Sequence, residues 1–204
     1  MFFEPNHIYH IYNQGNNRQK IFFTRENYLY FLKKIGEHIL PFADVLAWCL
    51  MPNHFHLIIA VKLHNPGDRV SDFKDNNSPG HYYLKFNNSI ATMLSSYTRA
   101  INIQQKRSGS LFREGTKAVE LGNIEIERMK YQNHNTIGVG ITKNLEEEQL
   151  QTCFRYIHRN PVEAGLAKQI TDWEFSSAQD IVGIRKGSLI NRILINELGL
   201  CLEK

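Results

Sequence analysis

His54-Phe55-His56 stands at the start of an apolar run. Side chains alternate along a strand, so the two imidazoles project from one face while Phe55 turns to the other. Two neutral imidazoles on one face can grip a single divalent metal, and the same spacing also suits a pair of hydrogen-bonded surface histidines. Further along, Leu150, Cys153, Phe154 and Ile157 recur at helical spacing as a core stripe. At roughly 100° per residue Tyr156 falls on the flank of that stripe, and Asn160, one turn on, shares its side. The phenol and the amide oxygen can therefore approach one point in space. Arg155 and Arg159 also face away from the core stripe. A phenol, an amide oxygen and two guanidinium groups make a surface suited to reacting with phosphate. Taken alone, Tyr156 equally suits an amphipathic surface ring, and Asn160 a helix cap ahead of Pro161.

Charge adds a second pointer. The chain carries 24 Lys and Arg against 20 Asp and Glu, a net +4. Between Ala91 and Lys117 the basic residues Arg99, Lys106, Arg107, Arg113 and Lys117 meet one acid, Glu114, so this window holds the excess of the whole chain. Such a stripe suits a phosphate backbone, and it also suits a solvated helix end with its loop.

These residues must be positioned by ordered elements. Residues 6–13 mix β-branched, aromatic and polar types and read as a strand. Thr24 offers an N-cap, Phe23 and Tyr28 are spaced as a hydrophobic staple, and Tyr28, Phe31, Leu32, Ile35 and Ile39 follow helical spacing up to Pro41. The apolar runs 45–50 and 55–61 flank Met51-Pro52-Asn53 as antiparallel strands joined by a tight connection. Residues 64–88 are rich in Asn, Asp, Gly, Pro and Ser and read as a long loop. A second helix begins near Ser89, with Ile90, Met93, Leu94, Tyr97 and Ile101 on one stripe. Residues 116–121 give a fourth strand, and 122–144 an irregular insertion. A capping box of Asn144 and Glu147 opens a third helix that runs to about Arg159 and is stopped by Pro161. Strand, helix, strand, strand, helix, strand, helix is the order of an α+β fold: a ferredoxin-like or RRM-like antiparallel sheet with helices packed on one face. One domain over 1–204 is expected, with loop excursions at 63–88 and 122–144.

The chain's 204 residues are 42% apolar and 22% charged, which suits one globular domain with its own core. No stretch of about 18 apolar residues occurs, and the start lacks the order of a secretory signal, so a cytoplasmic chain with no membrane partner is expected. Cys49, Cys153 and Cys201 are odd in number and widely spaced, which argues against both a disulfide framework and a cysteine zinc site.

Met51-Pro52-Asn53-His54-Phe55-His56-Leu57, together with Tyr156-Ile157-His158-Arg159-Asn160-Pro161-Val162-Glu163-Ala164-Gly165-Leu166, resembles the single-tyrosine HUH transposases of insertion sequences, in particular the REP-associated tyrosine transposases. The resemblance extends over residues 13–18, 109–113 and 173–177, in the same order. It implies His54 and His56 as the metal-binding pair, Tyr156 as the nucleophile and Asn160 as the third ligand. Two departures stand out: 122–144 is longer than the family places before the tyrosine helix, and the loop after Val61 is also generous.

The chemistry so implied is a metal-dependent DNA transposase that cleaves and rejoins single-stranded or hairpin-bearing DNA through a 5′-phosphotyrosine. A phenol that ordinarily titrates near 10 is a poor nucleophile at neutral pH, and Arg155 and Arg159 are candidates to lower that value. Two imidazoles, an amide oxygen and a substrate phosphate suit Mg2+ or Mn2+. Arg99, Lys106, Arg107, Arg113 and Lys117 would follow the backbone, and Arg155 and Arg159 join them as candidate DNA-binding residues. Tyr82, Tyr83 and Tyr97 are candidates for base stacking, with Tyr97, on its helix's apolar stripe, better explained as core. In this family the tyrosine helix serves its own chain or a partner's, so a homodimer is a further expectation. Two other readings remain: a non-catalytic single-stranded nucleic-acid-binding module of RRM-like architecture, and a metal-dependent hydrolase of small molecules.

Overall fold

The computed structural model describes residues 1, 3–63, 79–125 and 145–202, with side chains described outside 79–83 and 145–148. Four strands form one antiparallel sheet: β1 (His7–Gln14), β2 (Ala43–Met51), β3 (His54–Val61) and β4 (Lys117–Asn123), in the spatial order β2-β3-β1-β4. Between them run α1 (Arg25–His38), after β1, and α2 (Pro79–Gln104), after β3. This is the expected βαββαβ order. β2 and β3 are joined through Pro52 and Asn53 alone, which sets Met51 opposite His54 and Cys49 opposite His56. That turn is anchored from outside: the Ile21 amide donates to the Pro52 carbonyl and the Gly15 amide to the Asn53 carbonyl, each at 2.8 Å. Gly15 is required here, since a Cβ would meet the Gln19 carbonyl oxygen at 2.2 Å.

α1 starts where expected. Thr24 is its N-cap, but the reciprocal partner is Asn27, whose Oδ1 accepts from the amides of Phe23 and Thr24. α2 begins at Pro79 and not near Ser89, because Phe86, fully buried against Phe3 and Phe42, extends the stripe of Ile90, Met93, Tyr97 and Ile101 toward the N-terminus. The remainder of the expected loop, 64–78, and most of the insertion, 126–144, lie outside the described residues, as does the Asn144 cap. Together α1 and α2 cover the sheet face that carries Phe55, Leu57 and Ile59. Phe31 of α1 packs on Phe55 at 5.1 Å and on Tyr97 of α2 at 4.9 Å.

The third long helix, α3 (Leu145–Glu163), departs from the one-faced arrangement. It lies against the opposite face of the sheet, where Tyr156 meets His56. It also runs through Pro161 instead of stopping there. The Leu166 amide donates back to the Pro161 carbonyl at 2.8 Å, and Gly165, at φ 69°, ends the turn. After α3 the chain returns along the free edge of β2, pairing Cys49 with Ser176 and Val45 with Ile190. Two short helices follow, α4 (Ala178–Ile181) and α5 (Arg192–Glu197). Asp180, almost fully buried, ties this segment together by accepting from Arg185 and from the Gly187 amide. Among the described residues no helix is long and apolar enough to cross a membrane, and Cys49, Cys153 and Cys201 are free thiols.

Candidate active site

Alternation along β3 divides its residues as expected: Phe55 enters the aromatic core while His54 and His56 stand on the face toward α3. Their rings lie edge to face with centroids 5.0 Å apart. The Asn53 Oδ1 lies 2.6 Å from His54 Nδ1. A carboxamide oxygen only accepts, so His54 Nδ1 carries the hydrogen and Nε2 keeps its lone pair. His56 is buried; its Nδ1 lies 2.8 Å from Nε2 of His10 on β1, and its own Nε2 is buried with no hydrogen-bond partner among the described residues. Burial holds all three rings neutral. It lowers His54, pushes His10 down to about 4, and takes His56 well below its ordinary value, with the neighbouring His10 and His54 adding to the effect. Neutral imidazole is the form that ligates a metal.

Tyr156 comes to this pair from α3. Its ring is 5.8 Å from the His56 ring, edge to face, and the residue is 45% exposed. Both groups belong to one chain. They open on a cleft of about 290 Å³ that is also lined by Tyr12, His54, Arg113 and Lys117. Of the expected basic stripe, Arg113 and Lys117 are therefore at the site. Arg99 and Arg107 line a separate hollow at the end of α2, where Arg107 donates to Gln19 and to the Ser110 carbonyl. Lys106 is exposed in the turn after that helix.

Arg155 and Arg159 are elsewhere. They line a cavity of about 790 Å³ between α3 and the C-terminal segment, and Arg155 donates to the carbonyl oxygen of Cys201. Because Phe154, Ile157 and His158 face inward, positions 155 and 159 fall on one flank of the helix and 156 and 160 on the other. The two guanidinium groups expected to act on the phenol thus lie on the flank of the helix away from it. Asn160 keeps the flank of Tyr156, and its Nδ2 donates to the Tyr156 carbonyl at 3.3 Å. Tyr97 is core, fully buried with its hydroxyl donating to the Ile21 carbonyl. The side chains of Tyr82 and Tyr83 lie outside the described set.

Four site residues escaped the sequence reading. His10 and Tyr12 share a face of β1, and the register sets Tyr12 opposite His56 and His10 opposite Ile58. Asn53 orients His54. His158, fully buried, donates from Nδ1 to the Phe154 carbonyl at 2.7 Å and accepts at Nε2 from the Ser177 hydroxyl at 2.8 Å. It pins α3 to the strap on β2, two residues from the phenol. The alternation of His10 and Tyr12 in the first strand was a readable signal; nothing local marked His158.

The donor set fits a divalent cation through two features: the unpartnered, buried Nε2 of His56 and the lone pair left on His54 Nε2. Among the described residues no group of three or more His, Cys, Asp or Glu gathers at one point. Glu114 also lines the cleft, and a cation on these imidazoles would take its remaining ligands from oxygens there or on substrate.

No protein-family model matches the sequence, and neither does any curated protein. Among solved structures, the chain is similar to one described as a REP-associated tyrosine transposase bound to a REP hairpin, at 16% identity over 94% of each chain with a TM-score of 0.48. The chemical reading accordingly rests on the residues described above.

Proposed function

We propose that this chain is a DNA transposase or strand transferase of the single-tyrosine HUH type, acting on single-stranded or hairpin-bearing DNA through a 5′-phosphotyrosine on Tyr156. His54 and His56 would hold Mg2+ or Mn2+, with Asn160 contributing its Oδ1. The observation that carries this reading is the approach of the Tyr156 ring to within 5.8 Å of His56, in a cleft shared with His54, Arg113 and Lys117. A divalent cation there supplies charge neutralisation on a non-bridging oxygen of the scissile phosphate.

Everything else is done by the chain's own residues. Arg113 and Lys117 hold phosphates on either side of the scissile bond against the open cleft. Tyr156, partly exposed at the cleft, gives its proton to solvent and its phenolate oxygen attacks phosphorus in line. The bond from phosphorus to the 3′-oxygen breaks, that oxygen takes up a proton, and the 5′-phosphate stays on Tyr156. In the second step a 3′-hydroxyl attacks the phosphotyrosine, the phenol leaves, and the strand is rejoined with no external energy source. Asn53 and His158 position this machinery, the first by orienting His54 and the second by fixing the height of α3 over the sheet.

Incubation with hairpin-bearing single-stranded DNA and Mn2+ is expected to leave a protein–DNA adduct that survives denaturing electrophoresis. Tyr156→Phe is expected to abolish it. An adduct of undiminished yield in that variant removes Tyr156 as nucleophile.

A further inference from the structure

The geometry points to His10 as a positioning residue for the cation site: its Nε2 accepts a hydrogen from His56 Nδ1 and thereby locks His56 in the tautomer whose Nε2 lone pair faces the cleft. The inference rests on the reading of His56 as a ligand and deepens it.

The two ring nitrogens lie 2.8 Å apart, within a hydrogen bond between neutral imidazoles. Such a bond has one donor, and the choice decides what His56 can do. If His10 donated from Nε2, His56 would accept at Nδ1 and carry its own hydrogen on Nε2. That nitrogen is buried with no partner among the described residues, so it would be an orphaned donor with no lone pair to offer. If His56 donates from Nδ1 instead, its Nε2 is an unoccupied acceptor, which a cation satisfies. Only the second arrangement gives the buried nitrogen a use.

Sheet geometry makes the contact obligatory. In the register His56 opposes Tyr12, so His10 is its diagonal neighbour on the same face, within reach of a ring. His10 is itself held by stacking on Tyr12, with centroids 4.8 Å apart, and is buried. A ring fixed from both sides can fix its partner. The two imidazoles are thus oriented by different devices: His54 by the neighbouring Asn53 carboxamide, His56 by an imidazole from the adjoining strand.

Two measurements test this. In the metal-free wild type, long-range 1H–15N correlation spectra are expected to show His56 protonated on Nδ1 and His10 on Nδ1. Hydrogen on His56 Nε2 overturns the proposal, and this arm needs no variant and no activity. In Mn2+ titrations followed by the electron paramagnetic resonance of the free ion, His10→Phe is expected to weaken binding by about 10- to 100-fold. His10→Gln, whose Oε1 can accept from the same position, is expected to restore most of it. Mn2+ binding by folded His10→Phe equal to wild type, with His56→Ala defective, overturns the role of His10 alone. Unchanged binding in His56→Ala as well overturns the metal site and the strand-transfer reading with it.

Discussion

The two faces of one sheet have been given opposite tasks. On the α1 and α2 side, β3 contributes Phe55 to a cluster with Phe22, Phe31, Tyr97 and Phe112, in which every ring is 5% exposed or less. On the α3 side the next residue, His56, meets His10, Tyr12 and Tyr156 beside an open cleft, and Tyr156 is 45% exposed. The first face is close-packed and apolar, so it contributes stability. The second, at the cleft, leaves the His56 Nε2 without a partner among the described residues and a phenol partly in water, so it has a lone pair to spare. Stability and chemistry are separated by the pleat of a strand, a one-residue step.

Substitutions on the two faces should therefore fail in different ways. The largest expected effect is on the open side. His56→Ala should reduce covalent adduct formation below detection while single-stranded DNA binding, measured by fluorescence anisotropy, and the urea midpoint stay close to wild type. Loss of the fold in that variant would erase the distinction between the faces. Phe31→Ala, on the packed side, should lower stability by about 3 to 5 kcal/mol in urea unfolding. Adduct formation per folded molecule should be kept.

Acid should expose the hinge between the two regions. His158 is buried and neutral, with its value pushed down to about 4 against an ordinary 6.5. Above 6.5 neither folded nor unfolded chain protonates it. Below that the unfolded chain takes up a proton that the folded chain refuses, so stability falls as pH drops from 6.5 toward 4. His158→Gln should remove about one proton from the uptake on unfolding, read from the pH dependence of the urea midpoint. His10, also held down to about 4, supplies acid sensitivity that remains in the variant. The smallest effect is at the rim of the cleft: Lys117→Ala should lower the slope of log affinity against log salt by about one phosphate's share, roughly 0.7 for single strands.

The packed face was the more legible of the two. Near-continuous apolar runs around a Met51-Pro52-Asn53 turn define β2 and β3, and helical spacing of Phe31 and Tyr97 places α1 and α2, because burial of apolar residues is a local pattern. Part of the open face was readable for the same reason: alternation puts His54 and His56 together, and helical phase puts Tyr156 outside the core stripe. What the pattern could not reveal was where the outer flanks of α3 would point. Arg155 and Tyr156 are adjacent and both outward, yet one lies on the C-terminal segment and the other over the sheet. That depends on docking, set by His158 and Ser177 from distant parts of the chain. The run through Pro161 was also hidden, since a proline's cost to a helix is offset here by bonds made after it. His10 escaped because a histidine in a strand has no meaning until the register brings it to His56.

The most direct test is to locate the covalent bond. After reaction with hairpin-bearing single-stranded DNA and Mn2+, followed by nuclease and protease digestion, mass spectrometry should find a nucleotide 5′-phosphate on the peptide containing Tyr156, and none when the metal is chelated. A phosphate carried by Tyr12 instead, or no modified peptide from protein that binds the DNA and Mn2+, would contradict the convergence of phenol and imidazoles as the seat of the chemistry.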